Sequence, residues 1–279
     1  MAFIRSLDGT RIHYEVSGKR DGEPLLLVHG LGADSRGWIL QRQTLGATHR
    51  LVTVDNRGVG RSDKPAGPYD LEVMALDATA ALDAAGFESA HVMGASMGGI
   101  IAQILAVEHP ERVRSLVLAC TACHHLPWRR ELLHQWILDV ETLGMRGFVN
   151  RNLRWLVGPR SLRRIWPALT LLGPLAFNVE PDAFLAQVQA ILNTDDALAD
   201  RLLDVEVPAL IIVGSQDTLT PWGDSEELAS LLSNSELAVI RGGAHLFMVE
   251  HARTFNRTVT DFLAGPAAEL KSARQLRAV

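Results

Sequence analysis

Apolar residues in this chain gather into short, nearly unbroken runs separated by longer amphipathic stretches. Such runs stand at 25–29 (LLLVH), 51–55 (LVTVD), 91–95 (HVMGA), 113–119 (VRSLVLA) and 209–213 (ALIIV). Runs this uniformly apolar suit a parallel sheet covered on both faces, where neither side of a strand meets water. A further strand candidate, SELAVIRG, follows at 235–242. The opening predicts a hairpin, with Asp8-Gly9 as the turn between FIRSL and TRIHYEV. Residues 71–85 carry Ala, Leu and Val at helical spacing, with Asp70 as N-cap and Gly86 just past the end. A second helix over 97–109 stops at Pro110. Alternation of this kind predicts an α/β sheet with right-handed crossovers.

The rhythm breaks between residues 122 and 200, which show helical pattern and no convincing strand. That stretch holds Trp128, Trp136, Trp155 and Trp166, with punctuation at Gly158-Pro159 and Gly173-Pro174. Eight arginines against three acids lie within 122–166. The domain reading is a core of 1–121 and 201–265, a helical cap inserted at 122–200, and a polar tail at 266–279 expected to fray.

Composition narrows the class without naming it. The 279 residues are 47% hydrophobic and 21% charged, which is globular. A net charge of −5 lacks the basic excess of a nucleic-acid binder. No run is long enough for a membrane span. Two cysteines make no disulfide framework, and the N-terminus lacks the apolar core of a signal peptide. The expectation is a cytoplasmic monomer or homodimer.

Three residues carry the chemistry. Gly94-Ala95-Ser96-Met97-Gly98 follows an apolar strand and opens a helix. That is the setting of a nucleophile elbow, where a strained turn needs small neighbours and pushes the serine out above the sheet. The helix that follows brings backbone N–H groups and its positive end to a developing oxyanion. A serine hydroxyl needs a base, and His245, after Gly242-Gly243-Ala244 on a strand-exit loop, is placed to serve. A carboxylate must then hold the imidazole in one tautomer; Asp217, directly after the strand at 209–213, is the candidate. Asp224 and Glu227 are expected to cap the next helix.

The order Ser96, Asp217, His245 resembles the α/β-hydrolase superfamily. His29-Gly30-Leu31-Gly32 and Asp55-Asn56-Arg57-Gly58-Val59-Gly60-Arg61-Ser62 are similar to that superfamily's loops after the third and fourth strands. The resemblance implies a mostly parallel eight-stranded sheet with helices on both faces and an inserted helical cap. It also implies an oxyanion hole from the backbone N–H groups of Leu31 and Met97, with His29 and the 55–62 loop in support. Gly67–Asp70 and His109–Val113 resemble the enol-lactonase and cofactor-free haloperoxidase branches. Serine at the elbow, where dehalogenases and epoxide hydrolases carry aspartate, leaves acyl transfer.

The expected substrate is a small-molecule carboxylic ester or lactone, touched in the cap by Trp128, Trp136 and Trp155. A carbon–carbon bond hydrolase is the rival within the fold, and a ligand binder without turnover the rival outside it. Cys120-Thr121-Ala122-Cys123-His124 is formally a haem-attachment pattern, and with His125 and His134 a conceivable zinc cluster. Cys120 ends a buried strand, however, and no export signal accompanies the pattern, so no metal and no cofactor are expected.

Overall fold

The computed structural model describes residues 2–164 and 179–265, together with the backbone of 275–278. The strands are β1 (Ala2–Arg5), β2 (Arg11–Gly18), β3 (Glu23–Val28), β4 (His49–Val54), β5 (Ala90–Ala95), β6 (Val113–Ala119), β7 (Ala209–Gly214), β8 (Ser235–Ile240) and β9 (Gln275–Ala278). They form one sheet in the order β1-β2-β4-β3-β5-β6-β7-β8-β9. β1 and β2 are a hairpin antiparallel to their neighbours; β3 to β8 run parallel. This is the α/β-hydrolase sheet of eight strands with one addition. The tail, expected to fray, supplies β9, which pairs in parallel with β8 from Glu236↔Gln275 to Val239↔Ala278. The open edge of β8 offers unpaired backbone groups that a short strand can satisfy. Trp166, the Gly173-Pro174 pair and residues 266–274 lie outside the described residues.

Strand periodicity explains the unbroken apolar runs. Leu26 and Val28, Leu116 and Leu118, and Ile211 and Val213 face one core, with the helices Leu71–Ala84 and Met97–Glu108. Leu25 and Leu27, Val117 and Ala119, and Leu210 and Ile212 face the other, against Trp38, Phe247 and Phe255. Both faces are dry, so the stretches 25–28, 116–119 and 209–213 are apolar at every position. Asp70 accepts the N–H groups of Glu72 and Val73, capping the first of these helices as its sequence requires.

Between β6 and β7 the described regular elements are helical. A long helix, Pro127–Asn152, is interrupted at Gly144, whose φ of 67° breaks the helical run. It packs on the helix Pro181–Leu192 through the Trp136, Phe148 and Phe184 rings. This layer covers the C-terminal ends of the strands, where open α/β sheets place their ligands.

Candidate active site

Ser96 sits between β5 and the helix Met97–Glu108 with φ 54° and ψ −122°. A non-glycine residue with positive φ costs of order 1–3 kcal/mol and persists only where its surroundings hold it. The neighbouring glycines show what holds it. A Cβ on Gly94 would lie 2.1 Å from Gly98 O, and one on Gly98 would lie 2.2 Å from Val28 O. Only bare backbone lets helix and strands approach this closely. Ser96 N–H donates to Ala119 O at 2.9 Å, and Thr121 Oγ1 donates to Ser96 O at 2.9 Å, so the end of β6 braces the turn.

The three candidate residues meet. Ser96 Oγ lies 3.1 Å from His245 Nε2, and His245 Nδ1 lies 2.9 Å from Asp217 Oδ2. With the proton on Nδ1, the imidazole donates to Asp217 and presents a lone pair to the serine hydroxyl. Asp217 is itself fixed: Oδ1 accepts Leu219 N–H at 2.9 Å and Thr220 N–H at 3.0 Å, and Oδ2 accepts the Thr220 hydroxyl at 2.9 Å. Asp217 and His245 are both buried. The loop carrying His245 is tied down by Glu250, which accepts Ala244 N–H and Gly158 N–H, each at 3.0 Å.

Leu31 and Met97 flank Ser96 on the wall of a cavity of about 170 Å³. Gly30 allows this: a Cβ there would stand 3.0 Å from Ser96 Cβ. Met97 begins a helix whose first N–H groups have no partner within the helix, so its backbone can face an oxyanion. His29 takes the Gly30 N–H on Nδ1 at 2.8 Å, and Asn56 donates to His29 O at 3.1 Å. Asp55 accepts Ser35 and Arg61 N–H groups and pairs with His13. These residues hold the loops around the site. Burial keeps His29 neutral, taking its pKa down to about 4.

Of the tryptophans expected to touch substrate, Trp136 alone lines the cavity. Trp128 is 39% exposed beneath the Arg129 guanidinium. It stands eight residues before Trp136, hence about 80° round the helix at 100° per residue, and points elsewhere. Trp155 follows the helix in a 3-10 turn and packs against the core beside Arg154. Asp224 does not cap: the helix Trp222–Leu231 begins after Pro221, and Asp224 is buried in its first turn against Arg129. The Cys120–His124 pattern divides. Cys120 packs in one core and Cys123 in the other, with both thiols free. Cys123 shares a small cluster with His124 and Glu227 instead.

Three supporting residues carried no signal in the sequence. Gln187, wholly buried, joins the loops after β3 and β4. Thr220 hydrogen-bonds Asp217. Arg129 donates to Leu219 O, His124 O and Asp224. Glutamines, threonines and arginines on helices and loops are ordinarily solvated, and only the fold shows these as buried.

Residues 23–252 match the family described as alpha/beta hydrolase fold, and the chain belongs to that family. It is 31% identical over 256 residues to the protein named as a carbamate hydrolase, RutD, of Azorhizobium caulinodans, covering 90% of this chain and 94% of that one. It is 32% identical over 271 residues to a 2-hydroxymuconate semialdehyde hydrolase of Pseudomonas sp. strain CF600, covering 92% and 91%. The solved enol-lactonase of Burkholderia xenovorans LB400 superposes with a TM-score of 0.86 at 26% identity, covering 94% of this chain and 99% of that one. Among the described residues no helix is long and apolar enough to cross a membrane.

Proposed function

We propose that this hydrolase cleaves a carboxylic ester or lactone through an acyl-enzyme on Ser96. The observation that carries the reading is the continuous Ser96–His245–Asp217 hydrogen-bond line, at 3.1 and 2.9 Å, opening into an apolar cavity. His245 Nε2 takes the serine proton as Oγ attacks the carbonyl, and returns it to the leaving oxygen. Asp217 Oδ2 accepts from His245 Nδ1–H, and that bond stabilises the imidazolium. Backbone N–H groups of Leu31 and Met97 receive the oxyanion. Water, activated by the same imidazole, then releases the acid.

A fluorophosphonate probe tests the nucleophile. Stoichiometric labelling of the native protein, absent in Ser96→Ala, supports the reading; a folded, unlabelled native protein refutes it and favours a ligand binder. Turnover is then compared across p-nitrophenyl esters, lactones and carbamates. A second reading, carbon–carbon bond hydrolysis, is favoured by the similarity to the semialdehyde hydrolase. Cleavage of a vinylogous diketone in preference to every ester would select it.

A further inference from the structure

His245 stands on a loop that its own sequence leaves loose. Gly242 and Gly243 precede it, and Gly242 adopts a φ of 76°. Glycine adds no side-chain restriction to the backbone. Asp217 grips the ring at Nδ1 only, so the aim of Nε2 at Ser96 depends on where the backbone of residues 244–246 is fixed. On one side, Gln216 N–H donates to Gly243 O at 2.8 Å and ties this loop to that of Asp217.

The other tie runs to residues 153–158, the turn that follows the long helix. Both chain neighbours of His245 are bonded to it. Leu246 N–H donates directly to Leu156 O at 2.8 Å. Ala244 reaches it through Glu250: one carboxylate oxygen accepts Ala244 N–H and the other accepts Gly158 N–H, each at 3.0 Å. The fit is close, since a Cβ on Gly158 would lie 3.3 Å from Glu250 Oε1 and 3.7 Å from Ala244 Cβ. Gly158 and Ala244 are both buried, so an N–H deprived of its acceptor there is costly. A carboxylate offers two acceptor oxygens, whereas an amide of the same shape offers one oxygen and a competing donor. The same turn contributes Leu153 and Leu156 to the cavity wall, while Glu250 stands off that wall.

We propose that Glu250 is a positioning residue for His245. Its carboxylate and the Leu246–Leu156 bond seat the base on residues 153–158, so one turn both shapes the cavity and aims Nε2 at Ser96. Glu250 thus acts on turnover without touching substrate. The inference rests on the acyl-enzyme reading above, in which His245 must take the serine proton.

The test compares Glu250→Asp, Glu250→Gln and Glu250→Ala with the native enzyme on one p-nitrophenyl ester. Melting curves establish that each variant is folded at the assay temperature. In Glu250→Gln kcat should fall by about ten- to a hundredfold, because a base displaced by an ångström loses about that much. KM should stay within about twofold, the pattern of an interaction felt only in the transition state. Glu250→Asp keeps both oxygens on a shorter stem and should retain more of kcat than Glu250→Gln, with Glu250→Ala retaining least. Fluorophosphonate labelling of Ser96 in Glu250→Gln should reach the native extent, at a rate lowered in parallel with kcat. Should Glu250→Gln not fold, Glu250→Asp decides by the same readouts.

A purely structural role would lower the melting temperature or the extent of labelling and leave the rate of the folded fraction unchanged; that result overturns the proposal. So does a rise in KM at native kcat. Labelling of the native protein separates the two levels. A labelled native enzyme whose variants keep native kcat defeats this inference alone, whereas a folded native protein that is not labelled defeats the hydrolase reading and this inference with it.

Discussion

Gln187 accepts the Gly32 N–H on Oε1 at 2.9 Å and donates from Nε2 to Arg57 O at 2.8 Å. One buried amide on a helix between β6 and β7 thus joins the loop after β3 to the loop after β4. The first of these loops carries Leu31, a proposed oxyanion donor. Gln187→Leu should lower kcat/KM by about ten- to a hundredfold, since a shift of an ångström in a positioned donor costs that much. The initial rate of Ser96 labelling should fall in parallel. A variant with a lowered melting temperature but native kcat/KM would make Gln187 merely structural.

Asp217→Asn tests the tautomer. The Leu219 and Thr220 N–H groups point at Oδ1, so an asparagine would keep its carbonyl there. Its NH2 would then face His245 Nδ1 and force the ring proton onto Nε2, toward Ser96. That state cannot accept the hydroxyl proton. With the geometry otherwise kept, kcat should drop by about 10⁴, as expected for a triad in the wrong tautomer. Burst and steady-state kinetics with a p-nitrophenyl ester measure it; a loss below tenfold would remove Asp217 from the mechanism.

The sheet was legible because its signal is dense. Runs such as Leu25–Val28 pack alternately into two dry cores, and a strand buried on both faces leaves no polar position to blur the pattern. Ser96 and His245 were legible because tight turns demand glycines, at Gly94 and Gly98 and at Gly242 and Gly243. The layer between β6 and β7 was not. Trp128 and Trp136 share a helix and a residue type, and only helix phase separates an exposed ring from one on the cavity wall. Asp224 carries the local signature of a cap, but its partner, Arg129, is 95 residues away in sequence. Long-range polar pairing leaves no mark on local periodicity, so Gln187, Thr220 and Arg129 emerge only from the fold.

Two buried histidines set an acid limit on stability. His29 and His125 both have pKa values lowered from 6.5 to about 4, chiefly by burial. An unfolded chain takes up protons on these rings below about pH 6.5, whereas the native protein resists until about pH 4. Their contribution is therefore complete above pH 6.5 and is lost as pH falls toward 4. Urea unfolding at pH 7 and pH 4.5 should show this loss, and in His125→Gln it should be smaller by about 1–3 kcal/mol. Identical pH slopes in the two proteins would show that His125 titrates alike folded and unfolded.

Arg129 and Asp224 form a buried ion pair between the long helix after β6 and the helix after β7. Burial pushes the Asp224 carboxyl up to about 6 even against the pull of Arg129. Removing only the guanidinium leaves a carboxylate in an apolar setting, which costs about 3–5 kcal/mol, whereas replacing both partners with apolar side chains can be close to neutral. Arg129→Met should therefore be strongly destabilised, and Arg129→Met with Asp224→Leu should recover most of the loss. The sign of the pH dependence is also set. Without its partner, Asp224 has a folded pKa above 6 against an unfolded value of about 3.9, so the native state holds the extra proton between them. The penalty of the single variant should thus be small near pH 4.5 and grow toward pH 7.5. Urea titrations of the four proteins at both pH values measure this coupling directly, and additive losses at pH 7.5 would mean that the pair contributes nothing as a pair.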